Sequence, residues 1–236
     1  MVGNHDTTAW TGYKQKLTDR LARITGASCE GSVGEQQNCK YRGLRVVLSG
    51  IGTLGSDAEH ETFLQNALAG DPSALWKFCG WHQNQNDMQL GDKSDAIGWH
   101  AFQICQQHGA IIGMGHEHTY GRTLTLTDLG NVAAGHGATG APDQMDVAAG
   151  RTFVFYNGLG GSSIRAYAAG LHDDDTWWAT MYTSDKYVKN GVAQSGAANY
   201  GALFIVFNVD GDPSKATGYF KNIAGQVIDE FTIVRN

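Results

Sequence analysis

Ile111-Ile112-Gly113-Met114-Gly115-His116-Glu117-His118-Thr119-Tyr120 is a short apolar run that ends in glycine and passes at once into two histidines one residue apart. The run reads as a buried strand. Gly113 and Gly115 let the backbone turn tightly, or come close to a ligand, as it leaves the sheet. Two imidazoles at i and i+2 in such a turn do not easily share one small ion, but each can serve one of two neighbouring ions. The helical zinc motif H-E-x-x-H needs i and i+4 on one face, which this spacing lacks. Alone, the stretch fits either a metal site or a loop with two hydrogen-bonded histidines.

Outward from it, the chain alternates strands with helices. Upstream, Leu44 to Leu48 and Leu75 to Cys79 are short apolar runs of strand length, and His82 follows the second within Gly80-Trp81-His82-Gln83. Ser56-Asp57-Ala58-Glu59 is a capping-box pattern opening a helix through Phe63, Leu64 and Leu68, which Gly70-Asp71-Pro72 ends. Ser94 is a candidate cap for a helix with Ile97, Ala101, Ile104 and Cys105 on its buried face, stopped by Gly109. At the N-terminus, Gly3-Asn4-His5-Asp6 precedes a helix that Thr7 or Thr8 can cap. Its apolar positions Trp10, Tyr13, Leu17, Leu21 and Ile24 recur at intervals of three and four and predict one buried face.

From about Thr152 the pattern turns to strands: Thr152 to Tyr156, Trp177 to Thr183, Ala202 to Val209, Ala216 to Phe220 and Val227 to Val234. Gly130 to Gly150 reads as a long surface loop. Residues 1–236 therefore read as one α/β domain, a two-sheet sandwich flanked by helices. His82 and the His116/His118 pair both follow strand ends, where α/β active sites usually lie.

Composition narrows the function. A net charge of -6 argues against a general polyanion or nucleic-acid binder, and no apolar run approaches membrane-spanning length. With 32 glycines and only 3 prolines, the chain is rich in tight turns. Of four cysteines, Cys29 and Cys39 flank a polar stretch without periodicity, and a disulfide closing it would imply an oxidising compartment. Cys79 and Cys105 lie in apolar surroundings and are expected as buried thiols. Met1 leads directly into Asn4-His5, without the charged and apolar regions of a signal peptide. His60, His100, His108, His136 and His172 have no motif around them, Asp173-Asp174-Asp175 reads as a solvated acidic turn, and the tryptophans read as core filling.

Taken in order, Gly3-Asn4-His5-Asp6, Gly80-Trp81-His82-Gln83 and Gly115-His116-Glu117-His118 resemble the last three motifs of the calcineurin-like metallophosphoesterases, most nearly the secreted, purple-acid-phosphatase-like branch. The resemblance runs from Val2 to about Thr123. It continues through Asn157-Gly158-Leu159-Gly160-Gly161 and Ala198 to Phe204. It implies a four-layer αββα sandwich and a phosphoester hydrolase with two metal ions, iron, zinc or manganese, about 3.5–4 Å apart, sharing a hydroxide that attacks phosphorus.

By this resemblance Asn4, His82 and His116 bind one ion and His118 the other. His5 is the general acid, with Asp6 orienting its ring, and Arg122 holds a phosphate oxygen. The substrate would be a phosphorylated small molecule or polymer, and the setting extracellular or secretory. The family also has Asp-x-His and Gly-Asp-x-x-Asp motifs, both ahead of the Asn-His motif at which this chain begins. The expectation is therefore an N-terminally incomplete domain, part of a longer enzyme or completed by another chain or copy. The alternatives are a non-catalytic structural or assembly subunit on the same fold, or a single-metal binding module using Asn4, His82 and His116.

Overall fold

The computed structural model describes residues 1–70 and 74–236. The helices are α1 (Trp10–Leu21), α2 (Asp57–Ala69) and α3 (His100–Gln107). The first strands are β1 (Ala27–Ser32), β2 (Gln36–Tyr41), β3 (Leu44–Ser49), β4 (Trp76–Gly80) and β5 (Ile111–Met114). They are followed by β6 (Tyr120–Thr123), β7 (Gln144–Val147), β8 (Val154–Asn157), β9 (Trp178–Tyr182), β10 (Tyr187–Lys189) and β11 (Val192–Ala193). The last are β12 (Gly201–Phe207), β13 (Lys215–Asn222) and β14 (Val227–Arg235).

Two sheets result, a ten-stranded one in the order β1-β2-β3-β4-β5-β8-β6-β9-β10-β11 and a four-stranded one in the order β12-β13-β14-β7. At the centre of the large sheet β3, β4, β5 and β8 are parallel. Side chains alternate across this sheet because strand residues point to opposite faces. Val47, Cys79, Ile112, Val154 and Tyr156 meet α2 and α3 on one side. Trp76, Ile111 and Phe153 meet Met145, Phe231 and Ile233 of the small sheet on the other. Burial on both faces explains why these strands read as continuous apolar runs.

The helices α2 and α3 thus form one layer, and the two sheets the next two. The outer face of the small sheet is open among the described residues: Phe204 is 47% and Val206 50% exposed. Helix α1 differs from its expected role. Only Trp10 is buried, donating its indole N–H to Glu35, whereas Tyr13 is 45% exposed and Ile24, past the helix end, 42%. Neither Thr7 nor Thr8 caps it; they lie in a 3₁₀ turn, Thr7–Ala9, ahead of the helix.

The capping box at Ser56 and Glu59 is present on both sides. Asp71 and Pro72, expected to end α2 with Gly70, lie outside the described residues. Helix α3 starts at His100, after a loop containing Ser94, and ends at His108–Gly109 with Gly109 at φ 61°. The 130–150 segment is not one loop. It contains a 3₁₀ stretch, Val132–Gly137, and strand β7, which runs parallel to β14 and buries Met145 and Val147.

Cys29 and Cys39 are directly opposed in the β1–β2 hairpin and disulfide-bonded. The expectation of free thiols at Cys79 and Cys105 is wrong. Cys79 faces the helix layer from β4, Cys105 faces the sheet from α3, and their Cα atoms are 6.4 Å apart in a second disulfide. Such a separation is within disulfide reach.

The sheets are joined by a buried ion pair. Arg122 on β6 donates from Nε to Asp229 Oδ2 at 2.7 Å and from Nη2 to Oδ1 at 2.9 Å, with both side chains fully buried. Tyr120 and Thr180 hydroxyls donate to the same carboxylate at 2.7 and 2.9 Å. Removing one partner leaves an uncompensated buried charge, so Asp229→Ala is expected to cost about 3–5 kcal/mol. Urea denaturation of this variant and of Arg122→Met/Asp229→Leu checks the point. The double replacement should cost much less, and equal losses would contradict the assignment.

Candidate functional site

Strands β4, β5 and β8 are parallel neighbours ending at Gly80, Met114 and Asn157. The segments that follow carry His82, then His116 and His118, then a glycine-rich turn running to Arg165. The N-terminal turn arrives separately. The Val2 amide donates to the Gly34 carbonyl at 3.0 Å, laying Gly3 to Asp6 across the end of the β1–β2 hairpin. Asn4, His5, His82, His116 and His118 all border one open cleft of about 630 Å³.

Asn4 Oδ1 and His82 Nε2 are 2.9 Å apart. Two donors on one cation at about 2.0–2.2 Å each stand about 3 Å from one another, so this pair fits a shared ion. The His116 ring lies edge-on to His82 with centroids 5.1 Å apart. His116 has φ 66°, a left-handed conformation uncommon outside glycine and often found at functional positions. Burial lowers the His82 and His116 pKa values to about 4, with the Lys93 charge adding to the shift. Both imidazoles are therefore neutral near pH 7 and keep a lone pair for a ligand.

His118 stands apart. Its Nδ1 is 3.2 Å from Ser163 Oγ, and burial, then Arg165, lower its pKa. Among the described residues no three His, Cys, Asp or Glu side chains converge as a metal-binding group; what meets at the cleft is the Asn4 amide oxygen with the His82 and His116 rings. His5 is exposed at the cleft. Asp6 does not hold its ring: Asp6 Oδ2 accepts from the Gly3 amide at 2.9 Å and closes the turn instead.

No family model matches the sequence, and no curated protein does. Among solved structures, purple acid phosphatase PPD1 from yellow lupin (Lupinus luteus) seeds superposes with a TM-score of 0.63 and 17% identity, over 84% of this chain and 32% of that chain. The fold is similar to that of a purple acid phosphatase. This chain spans about a third of that phosphatase's length. A structure of PhoD also aligns, at a TM-score of 0.37 and 12% identity, over 91% of this chain and 48% of that one.

Within this phosphatase-like fold, Arg122 does not reach the cleft. Four residues past His118 the chain has already entered β6, and the side chain points between the sheets to Asp229, with Nη2 also donating to Asn190 Oδ1 at 2.8 Å. The cations that border the cleft are Lys93 and Arg165. Lys93 donates to the His116 carbonyl. Arg165 Nη1 donates to Glu117 Oε2 at 3.2 Å, and Glu117 is fully buried. Neither cation sits in a motif. The one hint in the sequence is that Arg165 follows the Gly158–Gly161 turn closely.

Two glycines make room for this arrangement. A Cβ on Gly158 would lie 1.7 Å from the Glu117 carbonyl oxygen, and one on Gly91 would lie 2.5 Å from the Glu117 carboxyl carbon. Gly91 is itself held by His172, whose Nε2 is 2.7 Å from the Gly91 carbonyl while Nδ1 is 2.9 Å from Asp175 Oδ2. Asp175 is therefore paired and largely buried, not part of a solvated acidic turn.

Both His172 partners are acceptors, which favours the doubly protonated ring. Burial opposes the charge, but the Asp175 and Gly91 bonds and the nearby carboxylates outweigh it and raise the pKa. A raised folded-state pKa contributes stability that is complete below the unfolded value, about 6.5, and lost as pH rises through the folded one. Accordingly, His172→Gln should destabilise more at about pH 5.5 than at about pH 8.5. Thermal unfolding of both proteins at the two pH values measures this, and a pH-independent difference would contradict it.

Proposed function

We propose that this chain carries part of a metal-dependent phosphoester hydrolase site, active in its complete or complemented form. The observation that carries the reading is the 2.9 Å approach of Asn4 Oδ1 to His82 Nε2, with His116 beside them, at the strand ends of a phosphatase-like fold. Asn4, His82 and His116 would hold one ion, and His118 would contribute to a second. Iron, zinc or manganese suit this oxygen and imidazole set. When bound, the ions would supply Lewis-acid activation of water and of the phosphate oxygens.

The chain's own residues supply the rest. His5, exposed at the cleft, would give its proton to the leaving oxygen as the P–O bond breaks. Asp6 fixes the turn that presents Asn4 and His5. A phosphorylated small molecule or polymer fits so open a cleft. The two disulfides support an extracellular or secretory setting.

The exposed apolar side chains on α1 and β12, such as Tyr13, Leu17, Phe204 and Val206, favour a second reading, a non-catalytic assembly subunit on the same fold. His116→Ala separates the two. Under the hydrolase reading it should weaken zinc or manganese binding by roughly 100-fold, measured by titration calorimetry, and hydrolysis of p-nitrophenyl phosphate should fall with it. Unchanged metal affinity in His116→Ala would remove the hydrolase reading.

A further inference from the structure

We propose that the groove between helix α2 and the β1–β2 hairpin is a binding site for a small monocarboxylate, held by Arg45. The groove shares no lining residue with the histidine cleft, so the site stands apart from the hydrolase reading.

Strand geometry places the arginine. Arg45 lies two residues before Val47 on β3, and Val47 packs in the core beneath α2. Both side chains therefore point to the helix side of the sheet. Asn38 is directly opposite Val47 in the β2–β3 ladder and lies on the same side. Arg45 and Asn38 border a groove of about 560 Å³ whose other wall is α2.

Arg45 is a buried cation without a counter-charge. The residue is 3% exposed. Its Nε donates to Asn38 Oδ1 at 2.9 Å, but Nη1 is buried and has no partner among the described residues. No described carboxylate forms an ion pair with it. Arginine does not lose its proton in proteins, so burial here leaves a full charge. Burying a charge unpaired is unfavourable, and an anion that completes the bonds of the guanidinium would offset much of that penalty.

The surroundings select the anion. With Nε turned to Asn38, the far end of the guanidinium presents Nη1 and Nη2, whose parallel N–H groups match the two oxygens of a carboxylate. One unbalanced charge asks for one negative charge. The exposed charges on the groove are Glu30 and Glu59 against Lys40, and this excess of acid disfavours a phosphate dianion. Glu30 is held by Asn38 Nδ2 at 2.7 Å, and Glu59 by the capping box with Ser56. Phe63 and Ala67 of α2 add an apolar wall, which suits a carboxylate with a short hydrocarbon body.

Titration with butyrate, with its uncharged isostere butanamide and with inorganic phosphate tests this, followed by amide NMR shifts so that the responding residues are known. Wild-type protein should bind butyrate at roughly millimolar concentration. The largest shifts should fall at Asn38, Arg45, Phe63 and Ala67 rather than at Gly115 to His118. Butanamide and phosphate should bind there at least tenfold more weakly, and Arg45→Met should weaken butyrate by a similar factor. Because Arg45→Met leaves Asn38 Oδ1 without its donor, Arg45→Gln repeats the loss of charge with an amide in its place. No response to butyrate, equal binding of butyrate and butanamide, tighter phosphate binding at these residues, or butyrate affinity kept in Arg45→Gln overturns the proposal.

Discussion

The bidentate ion pair of Arg122 with Asp229 is the contact on which the rest of the molecule depends. It spans the space between the sheets, and every oxygen of the carboxylate is engaged by Arg122, Tyr120 or Thr180. The guanidinium also lies 4.0 Å from the centre of the Phe231 ring. A buried charge pair lowers the energy only when its geometry and hydrogen bonds are this complete, because both ions have been taken from water. Strand β6 begins two residues after His118. The same pair therefore anchors the downstream end of the loop that presents His116 and His118, while parallel pairing of β5 with β4 and β8 anchors its upstream end.

Rigid ends allow an unusual middle. His116 sits at φ 66°, Glu117 is buried with one oxygen unpartnered, and Gly158 approaches the Glu117 carbonyl too closely for any side chain. Strain and incomplete solvation of this kind persist where surrounding structure holds them, and they tend to collect at functional sites. Here they fall between two histidines and beside an arginine that borders the cleft. The three features describe one device, a loop held open so that His116, His118 and Arg165 line the same cleft.

Much of the fold was legible because its central strands obey simple rules. Leu44 to Leu48, Leu75 to Cys79 and Ile111 to Met114 are apolar since both faces are covered, and Ser56 with Glu59 marks a helix start by a local hydrogen-bond pattern. The histidine positions were legible because strand ends are where such sheets place ligands. What failed depends on contacts distant in sequence. The Cys79–Cys105 bond follows from which face of β4 and α3 each residue occupies. The apolar positions of α1 predict a buried face, but no described element covers most of it. Arg122 was placed by its distance from His118 along the chain, when its strand had already turned it toward Asp229. Arg165 lies 48 residues from Glu117 and is brought to it by the pairing of β8 with β5 and β6.

In the reading proposed above, Asn4, His82 and His116 share one cation in the cleft. Anomalous diffraction from crystals of this protein grown with manganese or zinc tests it most directly. A metal peak is expected within bonding distance of Asn4 Oδ1 and both imidazoles, with the Asn4–His82 hydrogen bond replaced by two metal bonds. Saturating metal with no peak there, or a peak that excludes Asn4 and His82, would contradict it.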